Sequence, residues 1–131
     1  MTTPARTPRW PDRVALALAA VTILSGAGQI VAARPVLSML AVEPTTATVY
    51  LFVTVSLLTL LFGGALLHAV LARRPQPVAV LWTGLQKVCG AALGGAALTQ
   101  GLLAGAAWAA VAFDGVAGLF VLWYWTRVRK R

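Results

Sequence analysis

Four long apolar segments, almost free of charge, constrain this chain more than any other feature of its sequence. Of its 131 residues, 60% are hydrophobic and 11% are charged. A membrane-spanning helix needs about 20 apolar residues, which ordinary soluble domains do not supply in unbroken runs. The pattern therefore predicts an all-α, polytopic membrane protein, a four-transmembrane-helix bundle forming one domain over residues 1–131. The predicted spans are residues 14–33, 47–72, 78–98 and 104–126, with tails at residues 1–12 and 127–131.

The basic residues indicate how these spans are oriented. Most of the 11 Lys and Arg residues lie before the first span, between the second and third spans, or after the fourth. The loop after the first span carries only Arg34, offset by Glu43, and the turn after the third span has no charge. Because Lys and Arg concentrate on the cytoplasmic side, we expect both termini in the cytoplasm. The net charge of +8 then reflects topology, with no nucleic-acid partner, and the basic C-terminal tail suits anionic lipid.

Local signals predict where the first two spans begin and end. Residues 1–12, rich in Thr, Pro and Arg, are expected to be poorly ordered, with Asp12 capping the first span. Pro35 should end that span, since proline disfavours helical geometry in the residue before it. Residues 36–42 are predicted to form a short amphipathic segment at the outer membrane surface. The turn over residues 43–46 contains a threonine suited to cap the second span.

The interiors of the third and fourth spans each contain one charge, Lys87 and Asp114. A charge near the middle of a bilayer costs a few kcal/mol, so it normally has a partner. Each charge shares a helical face with small residues, which allow close approach of membrane helices. These small residues are Gly90, Gly94, Ala110 and Gly118. We therefore predict an antiparallel hairpin held by a Lys87–Asp114 salt bridge.

Three roles are open for this pair. It can be structural, fixing the register of the hairpin, or it can line a cavity that binds a ligand or moves a proton. Alternatively, one charge pairs with a partner subunit. His68 and Gln86 are further ligand or proton candidates, although hydrogen bonding between helices is their default role. Cys89 is expected to pack inside the third span.

The sequence offers no catalytic set, metal-ligand cluster or cofactor motif. A single histidine excludes a haem held by two histidines of one chain, and a single cysteine excludes a dithiol cycle. The first span lacks the acidic residue that small multidrug transporters need, and the arginines lack the context of the eicosanoid and glutathione enzymes. An enzyme is therefore the third hypothesis for this chain, after the two functions described below.

Short motifs resemble those of small bacterial four-helix membrane proteins of the DoxX-like type. They are the glycines near the end of the first span, followed by Ala33-Arg34-Pro35, the LQK ending at Lys87, and the FDG around Asp114. The resemblance implies the four-helix fold and almost nothing about activity.

Two functions are compatible with these features. The first is an accessory or assembly subunit of a complex in the bacterial inner membrane, contacting a protein partner or another copy through glycine and alanine faces. The alternative is a small transporter or lipophilic-ligand-binding protein that uses the Lys87–Asp114 pair. A polar cavity reaching Lys87 would favour the alternative, whereas a closed pair with an uncovered glycine face would favour the subunit.

Overall fold

The computed structural model describes residues 8–130, and within this range the chain is entirely helical apart from its connections. Residues 1–7 and 131 of the predicted tails lie outside the described residues. The helices are α1 Trp10–Val31, α2 Ala33–Met39, α3 Thr46–Leu71, α4 Pro77–Thr99 and α5 Ala107–Val128.

The start of α1 differs from the prediction. Arg9 is the N-cap, and residues 10–12 belong to the helix although they were expected to be poorly ordered. Asp12 occupies the third helical position, where its Oδ2 accepts a hydrogen bond from the backbone N–H of Arg9 at 3.0 Å. The carboxylate therefore satisfies the cap residue from inside the first turn, as the acidic member of a capping box does.

The connection between α1 and α3 holds a second difference. A break at Ala32 ends α1, and the new helix α2 includes Arg34 and Pro35 and stops at Met39. Proline is tolerated in the first turn of a helix, so Pro35 lies in the start of α2 and does not end α1. The predicted threonine cap is confirmed at Thr45, whose Oγ1 accepts from the Thr48 N–H at 3.2 Å.

Three of the described helices, α1, α3 and α5, are long and apolar enough to cross a membrane. They contain 22, 26 and 22 residues. With 23 residues α4 is also long enough, but it contains Gln86 and Lys87 in its middle and is not among these three. A membrane-helical protein is thus supported, and the crossing of α4 stays a prediction.

The helices are packed as two tight pairs, α1 with α3 and α4 with α5. In the first pair a Cβ on Gly26 would lie 2.8 Å from the backbone N of Leu60. A Cβ on Gly63 would lie 3.0 Å from the backbone N of Ile23. Only residues without a side chain let two backbones come this close.

The two pairs join around a shared core at one end of the molecule. We call this the basic end: it holds the start of α1, the α3–α4 connection and the end of α5. The core residues are Ala15, Ala19, Leu66, Ala69, Val80, Val121, Tyr124 and Val128. All of them come from the halves of the four long helices nearest the basic end. At the other end, the Ala104 N–H donates to the Leu40 carbonyl at 3.0 Å and links the two outer connections.

Candidate functional site

Lys87 and Asp114 meet between α4 and α5. Lys87 Nζ lies 2.7 Å from Asp114 Oδ1, the contact that the helix spacing predicts. Lys87 is ten residues from the start of α4 and Asp114 fourteen from the end of α5, which places them about 15 Å and 21 Å along the helices from the basic end. The long lysine side chain bridges this offset. The Phe113 ring, with its centroid 5.4 Å from Nζ, adds a cation–π contact.

Small residues on α5 and α4 allow this pair to form. A Cβ on Gly118 would lie 2.9 Å from the backbone N of Val88 and 3.0 Å from Lys87 Cβ. Further along the hairpin, a Cβ on Gly94 would lie 2.8 Å from Val111 Cγ2. The two helices therefore approach closely on both sides of the charged pair, and the predicted packing roles of Gly94 and Gly118 agree with this geometry.

Gly90 and Ala110 do not take part in this contact. A Cβ on Gly90 would have no neighbour within 4 Å, and Ala110 is exposed. These two residues therefore lie outside the hairpin contact, and their role in helix packing stays a prediction. Periodicity placed them on the same faces as Gly94 and Gly118, but it could not show that the bundle is open at this depth.

The partner charges differ in exposure. Lys87 is 1% exposed as a residue, whereas 36% of the Asp114 side chain is exposed. Asp114 lies seven residues before Val121, on the face of α5 that joins the shared core near the basic end. Farther from that end the same face is uncovered. We name Gly90, Ala110 and Asp114 the open face.

Two buried polar atoms have no hydrogen-bond partner among the described residues, Thr22 Oγ1 and Gln86 Oε1. Gln86 precedes Lys87 in α4, so its side chain leaves the helix about 100° away from that of Lys87. Gln86 Oε1 is thus buried without a partner, and the ligand or hydrogen-bonding role of Gln86 stays a prediction.

The structure does not bring His68 to the charged pair. His68 lies in the last turn of α3 and is exposed, about 10 Å nearer the basic end than Lys87 by helix rise. Cys89 is also exposed, so its predicted packing role inside the helix is wrong. It points away from the α4–α5 contact because it follows Lys87 by two residues, or about 200° around the helix.

The chemistry available at Lys87 and Asp114 is limited to charge and proton binding. Among residues 8–130 no group of three or more His, Cys, Asp and Glu residues could hold a metal ion. Two open cavities near the basic end are lined by other residues and reach neither Lys87 nor Asp114. Neither of these two cavities therefore leads to the charged pair.

A second buried polar contact was not predicted from the sequence. The Tyr124 hydroxyl donates to Asp12 Oδ1 at 2.7 Å and ties the end of α5 to the start of α1. The two residues are 112 positions apart, and the sequence suggested only a capping role for Asp12. Only two sequence features could have indicated this contact: an acid beside the first span and a tyrosine in the last turn of the fourth.

Neither the known protein families, nor the curated proteins, nor the solved structures include one that matches this chain.

Proposed function

We propose that this chain is an accessory or assembly subunit of a complex in the bacterial inner membrane, and that a helix of a different membrane polypeptide covers its open face. One observation carries the proposal: a carboxylate in a long apolar helix is left 36% exposed beside small, uncovered residues. A charge surrounded by lipid is costly, so such groups normally face protein or water.

The size and charge of the open face suit a particular kind of partner. Gly90 and Ala110 leave room for a helix backbone to approach, as small residues do in membrane helix pairs. Asp114 Oδ1 is bonded to Lys87, and its other oxygen can accept a hydrogen bond. The expected partner helix therefore carries small residues and a donor such as Ser, Thr, Asn or Gln.

In this proposal α4 crosses the membrane with the other three long helices, and the basic end lies in the cytoplasm. Seven described cations are located at that end, whereas Arg34 and Glu43 lie at the other. The excess agrees with the preference of Lys and Arg for the cytoplasmic side. The resemblance of the LQK and FDG motifs to DoxX-like proteins fits the same topology.

The test is purification of the tagged protein from its native membranes in mild detergent, with mass spectrometry of polypeptides and small molecules. Ala110→Leu should fill the open face without disturbing a contact inside the chain. Ala112→Leu is the matched control, because Ala112 is also exposed in α5 but lies on another side of the helix.

We expect a stoichiometric second polypeptide with the parent and with Ala112→Leu, and its loss with Ala110→Leu. A homo-oligomer, or a single chain carrying a lipid, quinone or metabolite, would overturn the subunit proposal.

The last of these outcomes would favour the alternative function, a small transporter or lipophilic-ligand-binding protein. The observation on its side is the unsatisfied polarity near the pair. Lys87 Nζ has three N–H donors and one hydrogen-bond partner among the described residues, and Gln86 Oε1 has none. A Lys87→Met, Asp114→Leu double variant that stays folded but releases the small molecule would then support this alternative.

A further inference from the structure

The start of α1 and the end of α5 form a second site at the basic end, apart from the charged pair. Arg9, Trp10 and Pro11 from α1 and Arg127 and Lys130 from α5 line an open cavity of about 650 Å³. Three cations from opposite ends of the described chain thus surround one space.

None of these three cations belongs to the Lys87–Asp114 ion pair of the described residues. The nearest acid in sequence, Asp12, is buried, and its two oxygens bond the Arg9 N–H and the Tyr124 hydroxyl. The cavity therefore presents a net positive field that an anion would neutralise.

An aromatic stack forms one wall beside the cations. The Trp10 and Trp123 rings are stacked with centroids 5.5 Å apart, and the Arg127 guanidinium lies 4.9 Å from the Trp123 ring centroid. This contact holds Arg127 at the cavity edge. Tryptophan concentrates at the level of lipid headgroups, because its ring is apolar and its N–H is polar.

Two apolar strips, one on α5 and one on α1, run from this stack toward the middle of the molecule. On α5, Val116, Phe120, Trp123 and Arg127 follow at spacings of four, three and four, which is one helical face. Val116 is 71% exposed, whereas Phe120 and Trp123 are half-buried against the shared core. On α1 the same spacing links Trp10 to Val14, Ala17 and Val21, and all four are exposed.

We propose that this cavity binds the phosphate of an anionic phospholipid, one acyl chain of which lies along the exposed strip of α1 and against Val116 of α5. The cations supply the charge-assisted contacts that phosphate oxygens prefer. The adjoining apolar strips favour a lipid over a soluble phosphate, because only a lipid has an acyl chain that can bind to them. The proposal depends on the membrane location of the protein but not on a subunit role.

The experiment is native mass spectrometry of the detergent-purified protein, titrated with phosphatidylglycerol or with phosphatidylcholine carrying the same acyl chains. An Arg127→Gln, Lys130→Gln variant removes two cations from the cavity. An Arg73→Gln, Arg74→Gln variant removes the same charge from the basic end outside the cavity. Thermal unfolding of each variant in detergent verifies that it is folded.

We expect tighter binding of phosphatidylglycerol than phosphatidylcholine, weakened about 10- to 30-fold by Arg127→Gln, Lys130→Gln and less than about twofold by the control. Equal losses in both variants would show a diffuse charge effect and overturn the proposal. Displacement of the lipid by millimolar inorganic phosphate would overturn it as well, in favour of a soluble anion. Absence of a second polypeptide from the purified parent, with lipid binding retained, would contradict the subunit function alone.

Discussion

At the scale of single residues, the molecule depends on a few buried polar contacts within apolar helices. Loss of the ion pair would cost more free energy at Lys87 than at Asp114, because Lys87 is almost completely buried while Asp114 is partly exposed. Removing one partner of a buried pair is much worse than removing both, since the remaining charge keeps its desolvation cost.

The first prediction concerns this asymmetry. Asp114→Asn should destabilise the protein by about 3 kcal/mol, because Lys87 remains buried with no opposite charge. Combining Lys87→Met with Asp114→Asn should restore most of the loss. Thermal unfolding in detergent measures both variants, and an Asp114→Asn protein that melts like the parent would contradict a stabilising role for the pair.

A second prediction tests the contact between Tyr124 and Asp12. Tyr124→Phe removes the donated hydrogen bond from a buried carboxyl group and should cost about 1–3 kcal/mol. Tyr50→Phe is the matched control, because Tyr50 is exposed and its hydroxyl lies at the outer end of α3. The same unfolding measurement applies, and equal stability of the two variants would show that the Tyr124 bond contributes nothing.

At the scale of the helices, glycine sets the distance between the members of each pair. The third prediction compares two glycines of α1. A Cβ on Gly26 would meet Leu60 and the Ser56 carbonyl oxygen at 2.9 Å or less, whereas one on Gly28 would have no neighbour within 4 Å. Gly26→Ala should therefore cost about 1–3 kcal/mol by forcing α1 from α3.

Gly28→Ala serves as the control and should leave stability unchanged or raise it by up to about 1 kcal/mol, since alanine is the better helix former. Unfolding in detergent compares the two variants. A Gly26→Ala protein as stable as the parent would mean that the α1–α3 contact is looser than the geometry indicates.

The positions of the long helices could be predicted from the sequence, but which residues of their faces are in contact could not. Hydropathy and charge located the four long helices to within a few residues, and the spacing of Lys87 and Asp114 predicted their contact. Periodicity could not distinguish Gly94, which is covered by Val111, from Gly90, which is uncovered. Val111 belongs to α5, so that difference depends on which sides of α4 and α5 face each other within their pair, and a small-residue pattern does not fix this.

The contact between Asp12 and Tyr124 was missed for a related reason. Asp12 was recognised as a helix-start residue, but its position in the first turn depends on Arg9 and on Tyr124 at the far end of the chain. A contact over 112 positions leaves no local pattern.

At the scale of the whole molecule, the outstanding question is whether α4 crosses the bilayer. The fourth prediction uses single cysteines in a Cys89→Ala background, at Glu43, Arg74, Leu102 and Lys130. With four spans and a cytoplasmic basic end, a membrane-impermeant maleimide added to intact cells should label only the cysteines at positions 43 and 102. Labelling at 130 but not at 102 would mean that α4 does not cross.

The order in which the chain is made gives the ion pair one more consequence. Lys87 is synthesised 27 residues before Asp114. At about 5–20 residues per second, the ribosome leaves this lysine without its counter-charge for roughly 1–5 s. A lone lysine opposes entry into lipid, so α4 should wait at the translocation channel and move into the membrane together with α5. A chain truncated so that it ends before Asp114 should then leave α4 outside the bilayer, although the sequence of α4 itself is unchanged.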